Sequence, residues 1–341
     1  MLRHLLLSAS LLVLTTTPAA AQQRDSTQTN WLPKISGTVR AKVECQTEEG
    51  ESRFEVRNAR VALDGMLGRW VEYKGEIDLS DEGKIKMLDA YAGILPTDDW
   101  KVRLGQMRVP FSTDAPRSPH VQWFANRSFI AKQVGNVRDV GVSAGWTSGW
   151  RIPVTLQGGV FNGSGLTNQK NFWTSGLNYS VKAEAVMCGC VTAAVSMQKA
   201  RAEDTDVYMY DVGGYWERGR WHVEAEYLRK HYDDGAFRPV NAVDVFGAYR
   251  HPIGRGLKTV SILGRYDYMS DHSKGKKDEN GMLKADDAER HRATAGLTLS
   301  FGNAKLQADL RINYEQYFYR HGVTPGISDR NKIVAEVVCH F

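Results

Sequence analysis

The last nine residues, Ile333-Val-Ala-Glu-Val-Val-Cys-His-Phe341, alternate in side-chain character up to the end of the chain. One face would carry Ile333, Ala335, Val337, Cys339 and Phe341, and the other Val334, Glu336, Val338 and His340. A period of two indicates a β-strand, because successive strand side chains point to opposite faces. The chain therefore ends in a predicted strand whose last residue is aromatic.

The same alternation recurs upstream and is long for a protein that folds in water. From Ile35 to Cys45 it lasts eleven residues, with Arg40, Lys42 and Glu44 on one face. A strand of a globular protein usually has about 5–6 residues, whereas a tilted membrane strand needs about 9–11. A soluble sandwich rarely sustains such alternation with charges so often on one face, so a membrane barrel is favoured.

The number and spacing of these segments predict an all-β fold, a transmembrane antiparallel β-barrel of about sixteen strands. Candidate strands begin near residues 34, 54, 70, 84, 100, 138, 151, 172, 190, 206, 220, 242, 258, 290, 304 and 331. Connections after even-numbered strands are mostly short and those after odd-numbered strands mostly longer. Short periplasmic turns and long outer loops are typical of outer-membrane barrels with both termini inside. Near Arg57 and Asn58 the second strand changes phase, which indicates a bulge or a strand that projects past the membrane.

The N-terminus predicts export from the cytoplasm. Arg3 and His4 precede an apolar run from Leu5 to Leu14, and Pro18-Ala-Ala-Ala21 supplies the small residues of a cleavage site. This is the pattern of a signal peptide over residues 1–21, followed by a short segment 22–33 and a barrel over 34–341. Phenylalanine at the end of the last strand resembles the signal that bacterial barrel-assembly machinery recognises, so that machinery is an expected partner through Phe341.

Composition argues against several other classes of function. The net charge is +5, and basic residues are interspersed with acidic ones, so no nucleic-acid partner is indicated. No cofactor or metal site is expected. Cys188 and Cys190 fall in a predicted periplasmic turn, where they either form a strained disulfide or stay reduced. Cys45 and Cys339 fall at opposite ends of neighbouring strands and should not bond. Tryptophans beside the short turns predict a periplasmic aromatic girdle; they are Trp70, Trp100, Trp146, Trp150, Trp216 and Trp221.

Three segments carry a resemblance to a known family. Gly105-Gln-Met-Arg-Val-Pro-Phe-Ser112, Trp123-Phe-Ala-Asn-Arg-Ser128 and Val137-Arg-Asp-Val-Gly-Val142 are similar to segments of the phosphate-selective porins O and P. The resemblance implies a sixteen-stranded barrel, commonly trimeric, whose third outer loop folds into the lumen. Here that loop is Pro110 to Val137. Asn126 and Met107 depart from the family pattern, which usually has a glutamate and an aromatic residue there.

The third loop supplies the candidate site. Between Pro110 and Arg138 the cations Arg117, Arg127, Lys132 and Arg138 outnumber the one acidic residue, Asp114. Such an excess in a narrow pore attracts anions, and arginine pairs well with oxyanions. The alternative is that these side chains pair with wall carboxylates and fix the loop in place. Wall cations expected to face the lumen are Arg40, Lys42, Lys74 and Arg103, mixed with carboxylates such as Glu44 and Glu76.

The predicted function is passive diffusion of small solutes through the outer membrane, with a weak preference for anions or phosphate, and without catalysis. A homotrimer, outer-membrane lipid and small anionic or neutral solutes are the expected partners. Two alternatives stay open. A barrel-based lipase or protease would need a nucleophile with its base, and no convincing grouping of serine, histidine and aspartate is evident in the sequence. A non-conducting adhesin would need long outer loops.

Overall fold

A single closed sheet makes up the structure, a computed structural model that describes residues 32–133, 138–166, 169–203, 205–303 and 305–341. Each of its sixteen strands pairs with two neighbours, and β1 pairs antiparallel with β16 to close the barrel. The strands are β1 (Lys34–Gln46), β2 (Ser52–Leu67), β3 (Val71–Asp81), β4 (Lys84–Ile94), β5 (Trp100–Arg108), β6 (Arg138–Thr147), β7 (Val154–Phe161), β8 (Asn178–Met187), β9 (Val191–Ala202), β10 (Thr205–Arg218), β11 (Trp221–Tyr232), β12 (Val240–Pro252), β13 (Leu257–Met269), β14 (Arg290–Gly302), β15 (Gln307–Tyr319) and β16 (Lys332–His340). This confirms the predicted fold and strand number. The predicted signal peptide, residues 1–21, lies outside the described residues.

The distribution of apolar and charged side chains is that of a barrel in lipid. Along β11 every odd-numbered residue is exposed and every even-numbered residue is buried. The exposed set begins with Trp221, Val223 and Ala225, whereas the buried set includes Glu224 and Glu226. A protein in water would place these two sets the other way round. Hydrocarbon accepts an apolar outer face, provided that all backbone groups are paired, and closure of the sheet achieves this. No helix among the described residues is long and apolar enough to cross a membrane.

Three strands, β7, β8 and β15, begin three or more residues later than the sequence pattern predicts, with β15 at Gln307 instead of near residue 304. We expected β7 to begin near residue 151, but it begins at Val154, directly after Pro153. Proline has no N–H to donate to a ladder, so it delays pairing. We expected β8 near residue 172, but it begins at Asn178. The hydroxyl of Thr174 accepts the backbone N–H of Gly176 at 3.0 Å and holds the chain in a turn instead.

The phase change in the second strand is a β-bulge. Arg40 of β1 pairs with Asn58 and Ala41 pairs with Val56, so Arg57 is the extra residue. The register shift returns the residues on both sides of Arg57 to their proper faces. The Arg57 guanidinium then reaches the β3–β4 turn, where it lies 2.5 Å from the Glu82 carboxylate.

The tryptophans and cysteines lie where the sequence pattern places them. Five of the six tryptophans named above are exposed beside the short turns, and Trp100 and Trp146 pair across β5 and β6 with ring centroids 6.4 Å apart. In the register of β1 with β16, Cys45 is opposite Ile333 and Cys339 is opposite Val39. Both cysteines are free, as expected from strand ends that do not meet.

Candidate functional site

The connection between β5 and β6 is the longest in the barrel. Its described part, residues 109–133, is called the 109–133 segment here; it contains a 3₁₀ turn at Pro119–Val121 and a short helix, α1, at Phe129–Gln133. Buried side chains of several strands hydrogen-bond to its backbone. A surface loop would find water for these groups, so the segment is docked on the buried face of the sheet.

The first half of the segment is fixed to β8 and β11. The Glu226 carboxylate of β11 accepts hydrogen bonds from the Ser112 hydroxyl and the Thr113 N–H, both at 2.6 Å. From β8, the Ser180 hydroxyl donates to the Pro110 carbonyl at 2.7 Å and the Lys182 ammonium donates to the Ser112 carbonyl at 3.0 Å. Ser112 adopts a positive φ of 64°, a strained conformation that these bonds hold in place.

The middle of the segment is fixed to β1 and β15. Arg40 of β1 donates to the Ala125 carbonyl at 2.8 Å and to the Gln122 side-chain carbonyl at 3.0 Å. Asn313 of β15 accepts the Ala125 N–H at 2.8 Å. In the closed strand order, β1 and β8 lie across the barrel from each other. One short segment is therefore bonded to opposite parts of the wall.

Apolar packing reinforces these bonds around helix α1. Phe111, Phe129 and Ile130 of the segment are buried in a cluster with wall residues; these are Met107, Phe161, Val207, Met209, Leu228, Tyr232, Val240, Ala242 and Met269. Burial of one such side chain stabilises a fold by about 1.5–3 kcal/mol. The strands are thus apolar on their buried face where helix α1 packs, and this apolar cluster fixes the position of the segment.

The predicted site residue Arg117 is neutralised by carboxylates. Its guanidinium lies 2.5 Å from Glu224 of β11 and 3.3 Å from Asp114. Burial opposes the charged form, but the two carboxylates outweigh it and raise the pKa of Arg117 above its ordinary value. An ion pair of this kind anchors the segment to the wall.

Lys132 and Arg138 also have acidic partners. The Lys132 ammonium is 3.4 Å from Asp329, in the connection between β15 and β16, and is more than half exposed. Arg138, the first residue of β6, pairs with Asp89 at 2.6 Å and with Glu76 at 3.4 Å. These partners lie on different parts of the barrel, so the structure does not bring the four predicted site residues together.

Arg127, the fourth predicted residue, has a different environment. Its guanidinium donates to two carbonyls of its own segment, those of Ala115 at 3.0 Å and Arg117 at 3.1 Å. Among the described residues no carboxylate lies within ion-pair distance of it. Burial lowers the pKa of Arg127 to about 10, which leaves it charged at neutral pH. Its positive charge is therefore not cancelled by a direct partner.

Arg108, the last residue of β5, is a cation that the sequence analysis missed. Its guanidinium donates to the Ser118 hydroxyl at 3.1 Å, while its Nη1 atom has no hydrogen-bond partner among the described residues. Arg108 lies two residues before Pro110, where the long connection begins, and this position could have indicated a cation beside the segment. Among the described residues, Arg108 and Arg127 are thus cations near the segment that lack a paired carboxylate.

The predicted wall cations are paired across or along strands. Arg40 and Lys42 lie on the buried face of β1, where Lys42 is 2.9 Å from Glu44 and Arg40 is 2.5 Å from Glu336. Lys74 is 3.2 Å from Asp64, and Arg103 is 2.5 Å from Glu72. The buried face is therefore mixed in sign, as predicted, and each of these four charges is locally balanced.

A protein-family model matches part of the chain. Residues 37–185 match the family model described as phosphate-selective porin O and P. No curated protein sequence matches the chain. Among the part of the chain that the structure describes, no cluster of three histidine, cysteine or acidic side chains suited to a metal ion occurs.

Solved porins share the fold at low sequence identity. The anion-selective porin from Comamonas acidovorans has a TM-score of 0.63 at 13% identity, covering 90% of this chain and 98% of that one. OmpT of Vibrio cholerae, solved in a trimer form, has a TM-score of 0.58 at 12% identity, covering 91% and 98%. The outer-membrane channel DcaP of Acinetobacter baumannii has a TM-score of 0.57 at 13% identity, covering 91% and 97%. Residues 37–185 thus match the family model of the phosphate-selective porins O and P, and the closed sixteen-strand barrel has the fold of the solved outer-membrane proteins it resembles.

Proposed function

We propose that this porin is a passive diffusion channel in which the 109–133 segment lies within the lumen and narrows it. The observation that carries the proposal is the bonding of one segment to both β1 and β8, on opposite sides of the barrel. Only a chain inside the barrel reaches both strands from their buried faces. A sixteen-strand barrel without such a segment would leave a wide aqueous lumen.

The constriction is a fixed one. Hydrogen bonds to buried carboxylates and the apolar seat of α1 hold the segment along its length. Several such anchors would have to break together before the segment could swing aside, and each charge-assisted bond contributes about 1.5–3 kcal/mol. Solutes therefore pass by size through a constantly open path, with no energy source and no chemical step.

Anion preference resides in Arg108 and Arg127. Arg117, Lys132 and Arg138 have paired carboxylates and act as anchors, so they contribute little net field. Two unpaired guanidinium groups in a narrow, low-dielectric passage raise the local anion concentration. The balanced charges of the rest of the wall make this preference modest. Phosphate and other small oxyanions fit the planar guanidinium best, and chloride also passes.

Reversal potentials in a planar bilayer under a potassium chloride gradient test this proposal. We expect the wild type to favour chloride, Arg108→Gln and Arg127→Gln each to reduce that preference, and Arg127→Lys to preserve it. Lys132→Gln is the control, because this side chain is more than half exposed and solvent screens the charge change that its loss produces. A clear cation preference in the wild type, or an equal effect of Lys132→Gln, would overturn the assignment.

Non-enzymatic transport is the second part of the proposal. Liposomes that contain the protein should swell in small sugars and release no fatty acid or peptide products. Hydrolysis without swelling would support the barrel-enzyme alternative instead. We also propose a homotrimer, as in the solved trimer form of Vibrio cholerae OmpT, and light scattering of the detergent-solubilised protein tests it.

A further inference from the structure

Two cysteines face each other in the turn between β8 and β9. Cys188 has a φ of 45° and Gly189 a φ of 66°, so both adopt the left-handed conformation. The Cys190 N–H donates to the Met187 carbonyl at 3.2 Å and closes a tight hairpin turn. This turn brings the two Sγ atoms to 3.1 Å. Carbon atoms, which are smaller than sulfur, stay about 3.5–4.0 Å apart when they are not bonded, so the two sulfur atoms are closer than ordinary van der Waals contact.

The surroundings of the pair do not suit a metal ion. Structural zinc sites need four ligands, and even catalytic sites supply three from the protein. Among the described residues no third histidine, cysteine or acidic side chain completes a group with these two. The two cysteines are therefore a pair of neighbouring thiols, and the reaction that their proximity favours is oxidation to a disulfide.

The turn is accessible from the aqueous phase. Cys188 is exposed and Cys190 partly exposed. The turn lies at the same end of the barrel as the start of β1 and the end of β16, which is the periplasmic end in the outer-membrane plan. Disulfides form and persist in the periplasm, whereas cytosolic thiols stay reduced.

We propose that Cys188 and Cys190 are a redox-active pair that forms a reversible disulfide within the turn, by exchange with disulfide compounds of the periplasm. The Cys188 thiolate attacks one sulfur of an external disulfide, breaks that S–S bond and releases one external thiolate. The Cys190 thiolate then attacks Sγ of Cys188 and releases the second. Two protein thiols are oxidised, one external disulfide is reduced, and the two protons go to the released thiolates.

The structure favours this order of attack. The hydrogen-bonding contact with the Cys188 thiol raises the pKa of Cys190, which therefore keeps its proton longer. Cys188 is also the more exposed thiol. Reversibility follows from the size of the ring, because a disulfide across one residue closes a small strained ring that external thiols can reopen. Exposed disulfides of this kind are the labile and regulatory ones.

The experiment equilibrates the full mature protein, folded in detergent, with mixtures of reduced and oxidised glutathione. Samples are quenched in acid, alkylated and digested with trypsin, which leaves Cys188 and Cys190 in one peptide between Lys182 and Lys199. We expect this peptide to change from a doubly alkylated form to an unalkylated disulfide form, which is two hydrogen atoms lighter than the free dithiol. The change should occur over a roughly hundredfold range of glutathione ratio. Cys45 and Cys339, on separate peptides, report non-specific oxidation.

Serine variants test the two roles. Cys190→Ser should trap Cys188 as a mixed disulfide with glutathione, because no second thiol remains to resolve it. Both this variant and Cys188→Ser should keep the heat-modifiable migration of a folded barrel on a gel. Double alkylation at every ratio, disulfide-linked dimers in place of the ring, or no trapped adduct in Cys190→Ser would each overturn the proposal. None of these outcomes bears on conductance, so the channel function is tested separately.

Discussion

The ring of Phe341 lies directly over Gly37, at the seam where the last strand meets the first. The two residues exchange backbone hydrogen bonds, with Gly37 N–H to Phe341 carbonyl at 2.9 Å and Phe341 N–H to Gly37 carbonyl at 3.0 Å. A Cβ atom on residue 37 would lie 2.3 Å from Cζ of Phe341. Any side chain at residue 37 would need the terminal ring to shift, because the ring occupies the space next to the glycine.

Substitution of this glycine should hinder barrel closure. Gly37→Val places methyl groups where the Phe341 ring lies, and overpacking of this kind costs about 1–3 kcal/mol. We expect a lower yield of folded barrel in detergent refolding and a lower urea midpoint. Gly75→Val is the matched control, since no atom lies within 4 Å of a Cβ built there. Equal refolding of both variants would show that the ring moves aside freely.

Glu336 holds two guanidinium groups, and loss of its charge should destabilise the seam. Its carboxylate is fully buried, 2.5 Å from Arg40 and 3.1 Å from Arg311. Removal of one partner of a buried pair leaves uncompensated charge and costs about 3–5 kcal/mol. Glu336→Gln should lower the free energy of unfolding by about 3 kcal/mol, measured by urea titration.

The control for Glu336 is the ion pair of Asp64 with Lys74. Asp64 is 42% exposed, so water already screens its interaction with Lys74. Asp64→Asn should cost less than about 1 kcal/mol. A Glu336→Gln effect no larger than that of Asp64→Asn would mean that water inside the barrel also screens the buried pair.

Release of Glu226 should free the first half of the 109–133 segment. Glu226→Ala removes the acceptor of the Ser112 hydroxyl and the Thr113 N–H. Loss of two charge-assisted bonds lowers the local opening free energy by about 3 kcal/mol, which should increase protease cleavage within the segment roughly a hundredfold. Single-channel conductance should become larger and noisier. Lys132→Ala, which loses only an exposed pair, should leave both measurements near the wild type.

Docking of the segment should also weaken at low pH. The His120 ring stacks on His340 with centroids 3.7 Å apart. Burial, with the charges around it, lowers the pKa of His120 to about 3. The titratable and charged groups that face it are His340, Arg311, Arg108 and Arg60. All of them disfavour a positive charge on the His120 ring.

The sign follows from proton uptake. A freed His120 titrates near its ordinary pKa of about 6.5, so between that value and pH 3 the undocked state binds more protons. Docking is fully stable above about pH 6.5 and loses this contribution as the pH falls towards 3. Channel noise should rise from pH 7 to pH 4 in the wild type and less so in His120→Gln. An identical rise in both would assign the effect to other groups.

Much of the barrel follows from local rules of sequence. The period of two and the charges on one face predict sixteen membrane strands, and the bulge at Arg57 is visible as a phase change. Strand starts were wrong where a single residue altered pairing, as at Pro153 before β7. A hydroxyl-capped turn at Thr174 similarly delayed β8. These effects are local too, but the start of each strand depends on whether a backbone N–H is present and which acceptor it bonds to.

The sequence by itself determined the closed barrel, its outer-membrane setting and the close approach of Cys188 and Cys190. Side-chain alternation and turn geometry are local in the chain, and closure of the sheet follows from the demand for paired backbone groups in lipid. Only the tertiary structure decided which cations are free. Arg117 meets Glu224 more than a hundred residues away, whereas Arg108 meets no carboxylate among the described residues. Such partners are set by the register of the strands and by the docking of the 109–133 segment, which bring together residues far apart in the chain.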